Sequence, residues 1–233
     1  LQQLHMRAGL ILSEVLILLV PALLFRQAFR APDGWPTLRT TNLRPRWLCW
    51  VALTAAILGL AANLVSALIV ELVPSFQPLA EQYEAMVKQM LFPGGEVAIL
   101  GVVAVTIAAP VCEEFLFRGV ILPAQRTTAA PVAAVVVTNG VLFSLLHVNP
   151  FGFIALAAVG AFFAHLTLLT RSLWPAIIGH AVLNTVNGVL VPVLLRDTAA
   201  ETAEPSLVEL LVGCAIIVPI VAALWYWGAK RLR

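Results

Sequence analysis

Three short clusters of polar side chains stand inside long apolar runs of this 233-residue chain. The first is Glu113-Glu114-Phe115-Leu116-Phe117-Arg118, the second Phe143-Ser144-Leu145-Leu146-His147, and the third His180-Ala181-Val182-Leu183-Asn184. On a helix, Glu114 and Arg118 are four residues apart and pair on one face. Glu113 is turned away from them by about 100° and is left for another role. His180 and Asn184 also share a face, with Asn187 further along it. Two histidines, a free glutamate and an amide suit hydrolysis. A desolvated glutamate can act as general base on water, and a histidine can share that proton or hold the water. A second histidine and an asparagine can donate hydrogen bonds to a developing oxyanion. The same residues support another reading, in which Glu113, His147 and His180 ligate zinc and water takes the fourth position.

The elements that must carry these groups are membrane helices. The chain is 61% hydrophobic and only 11% charged, against roughly a quarter charged in soluble domains. About 20 apolar residues cross a bilayer as a helix. Seven runs qualify: Gly9–Phe25, Trp47–Val70, Val97–Phe117, Pro131–His147, Gly152–Thr170, Leu173–Leu195 and Leu207–Trp227. They are continuous, not alternating, so helices and not a barrel satisfy the backbone. The expectation is an all-α polytopic bundle of about seven spans, one integral membrane domain over residues 1–233. Leu10–Leu24 is too long for a signal-peptide core and is read as a span. Between the second and third spans, Ser75–Phe92 sets Leu79, Tyr83, Met86, Val87, Met90 and Leu91 at helical spacing against Glu81, Glu84 and Lys88. That pattern predicts an amphipathic helix, lying in the membrane interface or covering the bundle.

Loop charges give an orientation. Arg26, Arg30, Arg39, Arg44 and Arg46 follow the first span, and Arg126, Arg171, Lys230, Arg231 and Arg233 fall on the same side. Glu71, Glu81, Glu84 and Glu96, then Asp197, Glu201, Glu204 and Glu209, fall opposite. Basic loops are cytoplasmic, which predicts an outside N-terminus and a cytoplasmic C-terminus, in the plasma (inner) membrane of a prokaryote. The small net charge of +2 gives no reason to expect nucleic acid. Cys49, Cys112 and Cys214 are far apart and read as packing thiols.

Ionisable groups inside spans are costly and mark function by default. Glu14 is read as snorkelling outward from the first span, and His165 as a packing or interfacial residue. Depth tests whether the three clusters meet. At about 1.5 Å per residue from the arginine-rich side, Glu113 lies about 14 Å down if its helix ends near Leu122. His180 lies about 10 Å down and Asn184 about 16 Å. His147, counted from Pro131, lies about 24 Å down. That is too deep by some two turns, unless its helix is tilted or starts above the membrane.

At these residues the sequence resembles the CAAX protease and bacteriocin-processing (CPBP, or Abi) family of intramembrane peptidases. The family's motifs, Glu-Glu-x-x-x-Arg, Phe-x-x-x-His and His-x-x-x-Asn, stand here in order as Glu113-Glu114…Arg118, Phe143…His147 and His180…Asn184. Each lies on a separate predicted span, and the resemblance covers a core of about 97–195. It implies an intramembrane endopeptidase of the CAAX-processing type. In that reading Glu113 activates water, His147 cooperates with it, His180 and Asn184 stabilise the oxyanion, and Glu114 with Arg118 forms a supporting ion pair. The family's mechanism is disputed between glutamate and metal, so no cofactor is fixed and zinc stays open. Eukaryotic relatives trim prenylated proteins, and bacterial ones act on other peptides or serve bacteriocin immunity. The implied partner is therefore a membrane-associated protein or peptide, prenylated or not, reached from the bilayer.

Other protease chemistries lack their residues. There is no His-Glu-x-x-His and no Gly-x-Ser-Gly, and the only aspartates, Asp33 and Asp197, fall in loops. Ser144 and Cys112 border the clusters without a nucleophile's setting. The rival from another class is a proton-coupled transporter with Glu113, Glu114, Arg118, His147 and His180 as a relay. It would be expected to show internal repeats or paired broken helices, and none stands out in the sequence. An inert membrane scaffold would have no need of these charges.

Overall fold

A computed structural model describes residues 2–28, 44–195 and 205–232. Arg30, Asp33, Arg39, Asp197, Glu201, Glu204 and Arg233 lie outside the described residues. Eight helices form among those described. They are α1 (Met6–Ala28), α2 (Pro45–Leu72), α3 (Gln77–Leu91), α4 (Ile99–Arg126), α5 (Val132–Leu146), α6 (Phe153–Thr170), α7 (Trp174–Leu194) and α8 (Leu207–Leu232). The protein is an all-helical polytopic bundle. Six of the helices are long and apolar enough to cross a membrane. The seventh expected span is α5, whose 15 residues reach only about 22 Å. It is paired with α6 in the most extensive helix–helix contact among the described residues.

Small residues make that contact. Membrane helices gain little from hiding apolar surface from one another, so close backbone approach takes over. Gly140 of α5 and Gly160 of α6 face each other, and a Cβ on Gly160 would stand 2.9 Å from the Gly140 Cα. The main core lies where α2, α6, α7 and α8 meet, around Trp50, Val51, Ala55, Phe162, Phe163, Ala176 and Val221, and takes in Phe117 of α4 and Phe143 of α5. Prolines open several helices, at Pro45, Pro78 and Pro175. There the missing N–H is one that would have no intrahelical partner anyway.

The chain runs up and down. The start of α2 meets the end of α8, where Trp50 packs on Gly228, and Arg26 at the end of α1 approaches Gly119 in the second half of α4. The basic ends of α1, α4, α6 and α8 thus gather at one end of the bundle, as loop charge predicted. At the other end α3, the amphipathic helix, crosses the bundle. It is tied down at its C-terminus by the buried Arg7 of α1, whose Nε donates to Met90 O (2.7 Å) and whose Nη2 donates to Gln89 O (2.8 Å). The N-terminal half of α3 is mostly exposed. Tyr83 leans edge-on against Phe151 (5.9 Å) in the turn between α5 and α6.

Candidate active site

α4 carries the paired glutamates, and its regularity is broken on both sides of them. π-type turns occupy Ala104–Ala108 and Phe117–Ile121. Each adds a residue to its turn, and such bulges are frequent at functional sites. The first has a local cause. In a π turn the carbonyl of Val105 would pair with the N–H of residue 110, and residue 110 is proline. Asn184 of α7 supplies the missing donor, its Nδ2 reaching Val105 O at 2.9 Å. One hydrogen of the amide implied in oxyanion binding is thereby committed to the backbone, and the second is left for other work.

Glu114 and Arg118 are both fully buried and form the expected pair, Arg118 Nη1 to Glu114 Oε1 at 3.0 Å. Two further partners were not legible in the spacing. His180 Nδ1 meets the same carboxylate oxygen at 2.9 Å, and Arg118 Nη2 donates to the Gly160 carbonyl at 2.7 Å. The close α5–α6 approach thus also fixes an acceptor for the buried arginine. Phe143, the first residue of the second motif, is the plate between these groups. Its ring lies 4.6 Å from the Arg118 guanidinium carbon, 4.7 Å from the His147 ring and 5.7 Å from the His180 ring. Phe163 stacks on His180 at 5.5 Å. The sequence reading gave Phe143 and Phe163 no role; the signal available was the position of Phe143 one helical turn before His147.

Glu113 points elsewhere, as its 100° offset requires. It is 7% exposed, and its Oε2 lies 3.7 Å from His147 Nε2. That is wider than a hydrogen bond, and Glu113 Oε2 has no hydrogen-bond partner. His147 is half-buried and fixed from behind, with Nδ1 at 2.9 Å from Phe143 O. A carbonyl only accepts, so Nδ1 carries the proton and Nε2 is the atom presented to Glu113. Tyr83 of α3 is near enough for the charge of Glu113 to act on its phenol, so the amphipathic helix overlooks the site.

The depth mismatch of His147 resolves in two ways. α4 continues to Arg126, which puts Glu113 about 20 Å from its basic end, close to the depth of His147 at the far end of the short α5. The chain before α7 is sunk into the bundle, with Ser172 3% and Leu173 0% exposed. Six residues along α7, His180 therefore reaches the same level. The helix ends are not coplanar, and counting from a common surface misplaced both α4 and α7.

Other expectations sort plainly. Ser144 Oγ donates to Phe153 O at 2.8 Å and ties α5 to the start of α6. His165 accepts from Trp225 Nε1 at 2.7 Å, a packing role as expected. Asn187 lies against Gly59 of α2 and not with the motif residues. Glu14 differs from its expected outward course. A π-type turn, Glu14–Leu19, starts at it and packs on the glutamate-bearing part of α4. This brings its carboxylate within electrostatic reach of Glu113, Cys112 and His147.

The residues were tested against zinc. Among the described residues no three His, Cys, Asp or Glu side chains converge as a metal site. His180 spends Nδ1 on Glu114 and faces the ion-paired carboxylate, while His147 faces Glu113. Zinc ligands stand about 2.0–2.2 Å from the ion, and Glu113, His147 and His180 as arranged do not form such a set.

Residues 95–186 match the family model described as Type II CAAX prenyl endopeptidase Rce1-like. Over that stretch the chain is similar to the CAAX protease family. The match takes in α4, α5, α6 and the part of α7 that bears His180 and Asn184, and so spans all three motifs. Neither the curated proteins nor the solved structures gave a match. A segment similar to CAAX proteases is thus carried in a bundle of membrane-length helices, as an integral membrane protein would carry it.

Proposed function

We propose that the chain is one integral membrane domain that hydrolyses a peptide bond of a membrane-associated protein or peptide, with Glu113 as the base that activates water. The observation that carries this reading is the meeting of Glu113 Oε2 with His147 Nε2 at 3.7 Å. One bridging water, or a small contraction in the substrate complex, closes a gap of that size. Glu113 takes a proton from the water as it attacks the scissile carbonyl. His147, held through Nδ1 by Phe143 O, receives the proton at Nε2 and passes it to the leaving amine. His180, oriented through Nδ1 by Glu114, stabilises the oxyanion together with the second N–H of Asn184. Glu114, paired with Arg118, keeps the His180 ring in place. No step here requires a metal.

The substrate in this reading is a membrane-associated protein or peptide, prenylated or not, and the bundle has one basic side, marked by Arg26, Arg126 and Lys230. By the charge rule that side is cytoplasmic, with the C-terminus there, in a prokaryotic plasma membrane. The test is cleavage of prenylated and unprenylated reporter peptides by the purified protein in detergent, wild type beside Glu113→Gln, with and without chelator. Loss in the variant alone is the expected result. Full activity of folded Glu113→Gln refutes the mechanism, and loss of wild-type activity on chelation refutes its metal-free form.

A further inference from the structure

Glu14 is a carboxylate that acts on the site from outside the family-matched segment. A glutamate eight residues beyond Met6 sits about 12 Å along α1, where exposure to lipid is costly. It does not face lipid alone. It is half-buried, and its Oε2 is buried without a hydrogen-bond partner. The π-type turn that opens at Glu14 lies against Ala109–Leu116, the stretch that holds Cys112, Glu113 and Glu114. The charge of Glu14 is felt at both Glu113 and His147, whose Oε2 and Nε2 lie 3.7 Å apart. Glu113 Oε2 is likewise without a partner. A buried carboxylate oxygen without a donor costs the desolvation of a charged acceptor, and two neighbouring carboxylates resist ionising together. One donor held between them, a proton or a water, relieves both costs.

We propose that Glu14 is a third carboxylate of the active centre, positioned by the π-type turn of α1, which shares with Glu113 and His147 the donor that hydrolysis consumes. The proposal rests on the reading of Glu113 as the base. Glu14 holds the water or its proton in line with Glu113 while His147 stays free to serve the leaving amine. Glu113 and Glu114 come from the matched segment, but Glu14 ties the activity to α1, so the segment alone is an incomplete site.

The test uses the full chain in detergent, with Glu14→Gln, Glu14→Leu and Glu14→Asp. For the glutamine and leucine variants the expected result is a kcat at least about tenfold below wild type. KM should stay within about twofold, and thermal midpoints should be equal or higher, because a buried charge has been removed. Glu14→Asp should recover part of kcat. A Glu14 that merely packs would leave kcat untouched in the isosteric glutamine variant, and that result overturns the proposal. A second readout needs no substrate. In a double-mutant cycle of Glu14→Gln and Glu113→Gln on the thermal midpoint, a shared donor gives non-additive shifts, and additive shifts overturn the proposal. If the wild type cleaves no peptide, or Glu113→Gln cleaves as fast as wild type, the peptidase reading fails by itself. The cycle then still decides whether the two carboxylates share a donor.

Discussion

Replacing Arg118 with methionine tests how the site is held. The guanidinium is fully buried and is the cation bonded to Glu114, and its second amino group serves Gly160 O. Breaking a buried ion pair from one side costs about 3–5 kcal/mol, because the remaining carboxylate stays in the apolar interior. His180 still holds the same carboxylate oxygen through a hydrogen bond, so the lower end, about 3 kcal/mol, is expected. That loss lowers the folded-to-unfolded ratio more than about 100-fold. Removing both charges with Glu114→Gln and Arg118→Met leaves no orphaned ion. Its loss should fall short of the summed single losses by about 2 kcal/mol or more. The assay is SDS titration of the protein in mixed micelles, followed by the fluorescence of its six tryptophans. If Arg118→Met unfolds within about 1 kcal/mol of wild type, or if the losses add, the fully desolvated pair described here is wrong.

Gly160→Ala pushes a methyl against the Gly140 backbone, so α5 and α6 must part and the Gly160 carbonyl withdraws from Arg118. A loss of about 1–3 kcal/mol with reduced cleavage is expected in the same assays. Asn184→Leu leaves Val105 O without a donor, at about 1–3 kcal/mol. Pro110→Ala restores an N–H to that turn and should recover much of this loss in the double variant, and an unaltered loss would remove the account of the π-type turn. Ser144→Ala should keep the wild-type kcat while costing about 1 kcal/mol of stability through the Phe153 carbonyl. Complete loss of cleavage by a well-folded Ser144→Ala would reopen a serine nucleophile.

The spans were legible because continuous apolar runs leave a helix few alternatives in lipid. Even the short α5 was found, since Pro131 and His147 bound its apolar stretch. Pairing within one helix was legible too: four-residue spacing places Glu114 beside Arg118 whatever surrounds them. What spacing does not carry is the relation between helices. His180 turned out to meet Glu114, not Glu113, and Arg118 found its second partner on α6, where nothing in the sequence marks the Gly160 carbonyl as free. Depth failed for a related reason. Counting assumes that helices start at one surface, yet α4 runs on to Arg126 and the start of α7 is sunk below its neighbours. The inward course of Glu14 was hidden as well, because nothing in its spacing says that this part of α1 lies against the glutamate-bearing part of α4.

Two adjacent glutamates illustrate how the fold divides labour. Glu113 and Glu114 share one backbone and one apolar setting, yet a single helical step separates their surroundings. On the Glu114 side, Arg118, His180, Phe143, Phe163 and Gly160 O are mutually engaged, each fixed by another. Interactions of that kind pre-organise a site and resist rearrangement. Each carboxylate keeps one buried oxygen without a hydrogen bond, but that of Glu113 is the one that faces His147 Nε2, at 3.7 Å. Chemistry needs that incompleteness, because a base already bonded to its neighbours has nothing left for water. The ion-paired side bears the cost of burying charge, and Glu113 beside it, which forms no ion pair within bonding distance of His147, is left able to react. On this argument, substitutions at Glu114 or Arg118 are felt first in folded yield, and substitutions at Glu113 or His147 first in turnover.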